Sequence, residues 1–187
     1  LEPLATKIYK QDKTDIEQLA LPFINNKVEN INDALQGARD IIAEWVSEDT
    51  TARQRVRNLF NNEAIIYSKV IKGKEDEGVK YTDYYDFSEP LKKCPSHRML
   101  AMRRGEDEGF LRITVEPEAE RATYLLEKQF VIGVTPASQQ VKIAVADSYK
   151  RLVQPSIENE FKKLFKDKAD TEAILVFARN LKQLLLT

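Results

Sequence analysis

Cys94, Ser96 and His97 place a thiol, a hydroxyl and an imidazole within four positions of one another. A nucleophilic triad needs its serine and histidine to meet through space beside a third, orienting group, and sequence neighbours rarely reach that geometry. The chain has no Gly-x-Ser-x-Gly segment and no second histidine, which argues against the usual strand-to-helix serine nucleophile. We therefore predict structural roles for these three residues and no enzymatic activity.

The charged run Lys72–Gly78 contains a Gly-Lys step of the kind found in phosphate-binding loops. It lacks the first glycine at the required spacing, and Lys74 is not followed by Ser or Thr. Its acidic residues do not have the alternating spacing of a calcium-binding EF-hand loop. One cysteine and one histidine are too few for the usual zinc sites. The run therefore predicts a solvated loop, and we expect no metal or other cofactor.

Six basic residues around an aromatic cluster are the remaining candidates for ligand binding. They form two groups, which are Lys69, Lys72 and Lys74, and then Arg98, Arg103 and Arg104. Basic side chains beside exposed tyrosines, here Tyr81 and Tyr84, can hold a phosphate backbone while a base stacks on the ring. We predict nucleic-acid binding by these six residues. The alternative is that the tyrosines are core and that the charges are solvated or paired with Glu75, Asp76 and Glu106.

The charge balance of the whole chain limits that prediction. With 29 basic and 30 acidic residues the net charge is -1, so the chain lacks the basic excess of an autonomous nucleic-acid-binding domain. Hydrophobic residues make up 42% and charged residues 32% of the 187 positions, a balance typical of a folded helical protein. No stretch approaches the roughly 18 apolar residues of a membrane span, and a single cysteine favours a reducing, cytoplasmic setting.

Apolar residues at three- and four-residue steps predict most of the helices. The predicted helical segments are 1–10, 15–23, 32–47, 50–60, a short one through Met99 and Met102, 117–130, 138–151 and 155–186. Asn32 and Ser138 are the expected N-caps of two of them, and Pro155 is expected to open the last. That last helix, about thirty residues and on the order of 45 Å long, would act as a structural spine.

The stretch from Glu63 to Val115 has a different pattern. β-branched residues are followed by the charged loop 72–80, which we expect to be mobile, and only Phe110–Val115 alternates as a strand does. The predicted fold is mainly α, an irregular multi-helix bundle with the long C-terminal spine helix and a short strand or hairpin near 110–115. We expect one helical region over 1–187, with the parts 1–62, 63–115 and 116–187.

Three stretches are long and unusual in composition. They are Ala34–Glu44 (ALQGARDIIAE), Ser68–Val115 (containing KVIKGKEDEGVKYTDYYDFSEPL, PSHRMLAMRRG and EGFLRI) and Arg151–Leu186 (RLVQPSIENEFKKLFKDKADTEAILVFARNLKQLLL). They resemble the Tex-type transcription accessory proteins, whose relatives include a eukaryotic transcription elongation factor. Such long ungapped stretches are far more specific than a short motif.

The resemblance implies a multi-domain, cytoplasmic bacterial protein that binds nucleic acid and affects transcription. In that family a helical N-terminal region with a helix-turn-helix unit precedes a ribonuclease-H-like domain, helix-hairpin-helix domains and a terminal OB-type RNA-binding barrel. This chain resembles the helical part, so no catalytic residue is carried over. Its start at Leu1 and its apolar end at Leu184–Leu186 also suggest a segment of a longer chain.

The sequence thus favours a helical scaffold within a nucleic-acid-binding transcription accessory protein. Its expected partners are neighbouring domains of the same chain and, through the complete protein, RNA or DNA. The alternatives are an autonomous nucleic-acid-binding module that uses the six basic residues, and an adaptor that docks on RNA polymerase or another transcription protein. The scaffold hypothesis requires the apolar residues of the last helix to be buried or to have a partner surface. These are Phe161, Leu164, Phe177 and Leu181.

Overall fold

The computed structural model describes residues 1–186, which form eight α-helices and three β-strands. In chain order these are α1 (Glu2–Tyr9), α2 (Ile16–Ala20), α3 (Ile31–Glu48), α4 (Thr50–Glu63), β1 (Ile65–Val70), β2 (Asp86–Pro90), α5 (Ser96–Asp107), β3 (Leu111–Glu116), α6 (Ala119–Phe130), α7 (Pro136–Ser148) and α8 (Gln154–Leu186). The fold is mainly α, as predicted, and the long C-terminal helix is present.

The chain divides into two compact units, each made of two separate segments. The helical unit joins Leu1–Asn58 to Glu118–Ile157, and the sheet unit joins Leu59–Pro117 to the chain from Glu158 onward. The units change along the chain at 58/59, 117/118 and 157/158. The division into the parts 1–62, 63–115 and 116–187 stays a prediction.

The helical unit is built around α3, which packs against α7 and α1. The predicted apolar stripe of α3 is buried, with Ile42 and Val46 fully enclosed. A buried hydroxyl links two of the helices, since Ser148 donates to the carbonyl of Ala43 at 2.6 Å. The predicted apolar stripe of α3 therefore lies at the centre of the helical unit.

Both predicted N-caps are wrong by a few residues. The cap of α3 is Asn30, whose side chain accepts from the backbone N–H of Asp33 at 2.9 Å. The cap of α7 is Thr135, which accepts from the N–H of Ser138 at 3.1 Å. In each case an equally suitable polar residue lies two or three positions before the predicted one, and in α7 Pro136 fits the first helical position.

The sheet unit contains a three-stranded antiparallel sheet in the order β2-β1-β3. The predicted strand near 110–115 is confirmed as β3, but it pairs with β1, and β1 pairs in turn with β2. Tyr67 at the middle of β1 lies opposite Ser88 and Thr114. Alternate residues such as Ile66 and Ile113 are buried on the inner face.

The free edge of β3 is covered by charged side chains. The N–H of Val115 donates to Glu158 of α8 at 3.0 Å, and the N–H of Ile113 donates to Glu106 of α5 at 3.2 Å. The ammonium of Lys162 completes the set by donating to the carbonyl of Ile113 at 2.8 Å and to Glu106 at 3.2 Å. Polar groups of an edge strand need such partners, so α5 and α8 are fixed to the sheet by directed bonds.

The charged loop after β1 adopts a defined series of turns. The N–H of Lys74 donates to the carbonyl of Ile71, and the N–H of Gly78 donates to the carbonyl of Lys74, both at 3.0 Å. Gly73 has a φ of +88°, which favours glycine at this position. The hydroxyl of Tyr85 also donates to the carbonyl of Glu75 at 2.5 Å. The chain then enters a 3-10 turn over Val79–Tyr84.

Helix α8 has 33 residues and follows α7 through a π-helical turn at Tyr149–Val153. Pro155 therefore does not open a separate helix, and the wider turn lies just before this proline, which lacks a backbone N–H. At about 1.5 Å per residue the helix is roughly 50 Å long. No helix within residues 1–186 has both the length and the apolar character needed to cross a membrane.

Only the first half of α8 is packed within the described chain. Phe161 is 6% exposed and its ring lies 5.5 Å from that of Phe60, and Ala169 is also buried. In contrast, Leu164, Phe177 and Leu181 are 59%, 68% and 46% exposed. The expectation that the apolar repeat is packed within this chain is therefore wrong at Leu164 and for the large apolar side chains of the second half of the helix.

Candidate functional site

Cys94 and Ser96 have carboxylate partners, which are Glu89 and Glu172. The hydroxyl of Ser96 donates to the carboxylate of Glu172, and His97 is exposed beside it. Burial, followed by a hydrogen bond with Glu89, raises the pKa of Cys94 to about 12, so its thiol is not ionised at neutral pH. In the part of the chain that the structure describes, no three His, Cys, Asp or Glu side chains are placed to hold a metal ion.

The three predicted lysines lie on β1 and in the loop that follows it. Lys69 forms an ion pair with Asp86 of β2. Lys74 lies 3.5 Å from Glu77 in the loop. Lys72 is exposed and forms no ion pair with any residue from 1 to 186. Two of the three charges are therefore already balanced by nearby carboxylates, although exposed pairs of this kind contribute little stability.

Arg98, the first of the predicted arginines, is held inside the sheet unit. Its guanidinium donates two hydrogen bonds of 3.0 Å to the two carboxylate oxygens of Glu89. It also lies 5.8 Å from the centre of the Phe87 ring. A bidentate arginine–carboxylate pair occupies the same donor fork that would otherwise bind phosphate. Arg98 thus links α5 to β2.

The aromatic residues expected to stack bases are largely enclosed. Tyr81 is 5% exposed and its hydroxyl donates to Glu108 at 2.5 Å. Tyr84 is half-buried and packs edge-on against Phe87, with ring centres 5.5 Å apart. The alternative in which the tyrosines belong to the core therefore describes Tyr81. The acidic partners differ from those expected, because Lys69, Lys74 and Arg98 pair with other carboxylates.

Arg103 and Arg104, the last two predicted residues, meet a third cation from α8. They line an open pocket of about 390 Å³ together with Lys166. Arg103 is half-buried and its Nε atom has no hydrogen-bond partner within residues 1–186. Lys166 was not predicted, because only the packing of α8 beside α5 brings it within reach. We call this pocket, defined by Arg103, Arg104 and Lys166, the cationic pocket.

A second surface is apolar and was also missed. We call residues Ile174–Leu186 the apolar end of α8. Its large side chains are 46–79% exposed and comprise Ile174, Leu175, Val176, Phe177, Leu181, Leu184, Leu185 and Leu186. Val176 and Phe177 also line an open groove of about 640 Å³ with Leu100 of α5. The sequence could not reveal this surface, since periodic leucines have the same pattern whether they are covered or exposed.

Comparison with known proteins places this architecture in one family. The family model described as Tex central region-like matches residues 11–177. The chain is 37% identical over 192 residues to transcriptional accessory protein Tex of Neisseria gonorrhoeae and 34% identical over 203 residues to protein tex of Bordetella pertussis. Both alignments cover all of this chain, and 25% and 26% of those proteins.

A eukaryotic protein is also similar. S1 RNA-binding domain-containing protein 1 of Pongo abelii is 28% identical over 166 residues, which cover 81% of this chain and 16% of that protein. The chain spans about a quarter of the length of the curated bacterial relatives that it matches. These matches confirm the resemblance seen in the sequence. Because the family model covers most of the chain, the chain belongs to the Tex family and corresponds to its central region.

Proposed function

We propose that this chain is a non-catalytic helical scaffold of a longer transcription accessory protein, and that the apolar end of α8 packs against another domain of that protein. The observation that supports this proposal most directly is that large apolar side chains along this segment are exposed. Phe177 is 68% exposed and Leu185 is 79% exposed. Burying one such side chain is worth about 1.5–3 kcal/mol. A contiguous exposed apolar surface is typical of an interaction site.

The relatives support a longer functional protein. The chain spans about a quarter of their length, and two carry the names transcriptional accessory protein Tex and protein tex. A further relative is named for an S1 RNA-binding domain. We infer that the complete protein binds RNA or DNA, modulates transcription and works in the cytoplasm. In this proposal the central region positions the domains that carry most of the binding.

The absence of catalysis in this proposal rests on the local chemistry. Ser96 is engaged by Glu172 rather than by His97. The raised pKa of Cys94, about 12, keeps its thiol protonated. A turnover assay on nucleotides, nucleic acids and esters tests the point, and activity that disappears in His97→Ala would contradict it.

The scaffold proposal is tested by making one substitution in two settings. Phe177→Ser, placed on an exposed side chain, is expected to change the unfolding free energy of this chain by less than about 0.5 kcal/mol. In the longer protein the same change is expected to cost roughly 2–4 kcal/mol, because it would then remove a buried side chain. Urea unfolding of both proteins measures the difference, and Lys182→Ser on the same segment is the control. Equal, small effects in both settings would contradict the proposal.

A second candidate partner for the same surface is a protein of the transcription machinery, such as RNA polymerase. The groove between α5 and α8 favours it, since grooves lined by apolar side chains accept helices of other proteins. The two candidate partners predict different effects of Phe177→Ser in the longer protein. Phe177→Ser would leave its stability unchanged while weakening its binding to purified RNA polymerase if the adaptor role is correct.

The six-residue nucleic-acid module is the weaker alternative. Lys69, Lys74 and Arg98 already have carboxylate partners, and Tyr81 is enclosed. Binding of single-stranded RNA by this chain that weakened most in Lys69→Gln and Arg98→Gln would favour the module over the scaffold. Fluorescence anisotropy over a salt series provides that measurement.

A further inference from the structure

We propose that the cationic pocket binds a backbone phosphate of a nucleic-acid strand. The inference rests on the proposed function in one respect, namely that the complete protein binds nucleic acid, and it assigns part of that binding to Arg103, Arg104 and Lys166. Two of these residues are consecutive on α5 and the third lies on α8. All three line the same open pocket of about 390 Å³.

Arg103 has an unsatisfied hydrogen-bond donor. The Nε atom of Arg103 is shielded from solvent and has no acceptor among the described residues. Buried polar groups of folded proteins nearly always have a partner, and a donor left without one is destabilising. Arg103 lines the pocket, so a rotation of its side chain would present this donor to an acceptor that has entered the pocket. A phosphate oxygen suits a guanidinium because the planar fork can donate two parallel bonds to it.

The pocket also contains positive charge that is not used in ion pairs. Unlike Arg98, neither Arg104 nor Lys166 forms an ion pair with any residue from 1 to 186. Cations that the protein itself has not balanced are available to an anionic ligand. Lys166 would act as a point charge, while the two arginines supply directed donors.

The carboxylates at the same pocket do not cancel this charge. Glu108 is engaged by the hydroxyl of Tyr81 at 2.5 Å and by Lys80 at 3.1 Å, and these hydrogen bonds lower the pKa of its carboxyl. Asp107 and Asp170 are the other acidic residues of the lining. With Glu108 balanced by Lys80, the three cations exceed the two remaining carboxylates. The open mouth of the pocket would let an extended strand pass across it.

The test is fluorescence anisotropy of the 187-residue chain with a labelled 12-nucleotide single-stranded RNA over a salt series. Each phosphate neutralised on a single strand contributes about -0.7 to the slope of log K against log salt. Each of Arg103→Gln, Arg104→Gln and Lys166→Gln is expected to weaken low-salt binding by roughly 3- to 10-fold and to reduce the magnitude of the slope by no more than about 0.7, because the three cations share one phosphate. Arg179→Gln, an exposed arginine elsewhere on α8, is the matched control and is expected to have no effect.

One further variant and two further ligands complete the test. Arg103→Lys keeps the charge but removes the fork, so it is expected to lose affinity while keeping the salt slope. If circular dichroism shows that Arg103→Gln is unfolded, Arg104→Gln and Lys166→Gln still decide the question. Duplex DNA and inorganic phosphate are tested in parallel. Binding of RNA or duplex DNA that depends on the three residues supports the proposal.

Three results would overturn the inference. They are no nucleic-acid binding at low salt, nucleic-acid binding that is unchanged in the pocket variants, and saturable binding of inorganic phosphate that depends on the pocket residues while neither RNA nor duplex DNA binds there. None of these depends on the apolar end of α8. Failure of this inference is therefore distinguishable from failure of the scaffold proposal, which is tested by unfolding without nucleic acid.

Discussion

At the residue scale, two helical glycines that look equivalent in the sequence are expected to respond in opposite ways to alanine. A Cβ on Gly105 would lie 2.4 Å from Leu111 Cδ1 and 2.8 Å from its Cγ, inside the sheet unit. Leu111 is 1% exposed and cannot move away. Gly105→Ala is therefore expected to cost about 1–3 kcal/mol, because overpacking outweighs the gain in helix propensity.

Gly37 is the matched control for that prediction. A Cβ there would lie 2.2 Å from Leu1 Cδ1, but the Leu1 side chain is 36% exposed and can rotate away. Gly37→Ala is expected to be neutral or to stabilise by up to about 1 kcal/mol. Urea unfolding of both variants measures the contrast, and a Gly105→Ala protein as stable as the parent would show that the packing around Leu111 is looser than the structure indicates.

Cys94 provides a prediction about pH. Because the folded-state pKa is raised from the ordinary 9.0 to about 12, the thiol is protonated in both folded and unfolded states below pH 9. The stabilising contribution of the neutral thiol is therefore complete below pH 9 and is lost as the pH rises from 9 to 12. At pH 8 the folded chain is expected to react with iodoacetamide at least about a hundredfold more slowly than the urea-unfolded chain. Equal rates would contradict this assignment.

Single residues also show where sequence interpretation of the site succeeds and where it ends. Arg103 and Arg104 could be singled out because basic residues near aromatic ones are a recognised pattern. Lys166 could not, since it is 62 positions away from Arg104 and nothing in its own neighbourhood distinguishes it. The pairing of Arg98 with Glu89 depends equally on the register of β2. Charge is visible in a sequence, whereas its neutralisation depends on the fold.

At the element scale, α8 and the sheet are expected to depend on one lysine. The Lys162 side chain is 19% exposed and bonds both the free carbonyl of Ile113 and the carboxylate of Glu106. Lys162→Met would leave both acceptors without this donor and is expected to lower the free energy of unfolding by about 2 kcal/mol.

The neighbouring Lys163 is exposed and forms no ion pair within residues 1–186. Lys163→Met is the control and should change stability by less than about 0.5 kcal/mol. Chemical denaturation of the two variants measures both effects, and equal losses would contradict the role of the β3 edge.

The helices were predictable because their apolar residues recur with a period near 3.6, as along α3 and α4. The strands β1 and β2 were not. β2 has the sequence DFSEP, with one large apolar residue and a proline, so its pattern is too short and polar to distinguish from a loop. It becomes a strand because β1 supplies hydrogen-bond partners along its length. Strand pairing is determined by tertiary structure, so the local periodicity of a segment does not predict which segment it pairs with.

At the scale of the whole molecule, the second half of α8 is the feature that most needs explanation. Its apolar repeat predicted a packed helix, and the last buried position is Ala169, although Leu164 before it is 59% exposed. Beyond Ala169 the large apolar side chains are 46–79% exposed. Periodicity identifies a face that must be buried somewhere, but it does not say which part of a protein buries it. Membership of a family whose members are about four times longer offers a source for the missing partner.

The most direct test of the scaffold account is hydrogen exchange of the apolar end of α8, measured in this chain alone and in the longer protein. Exchange reports local opening, and helix surfaces without packing partners open with little free-energy cost. The account predicts fast exchange over Ile174–Leu186 in the isolated chain and strong protection in the longer protein, with Phe161 and its neighbours protected in both. Equally fast exchange of this segment in the longer protein would contradict the account, because the exposed face would then have no partner there.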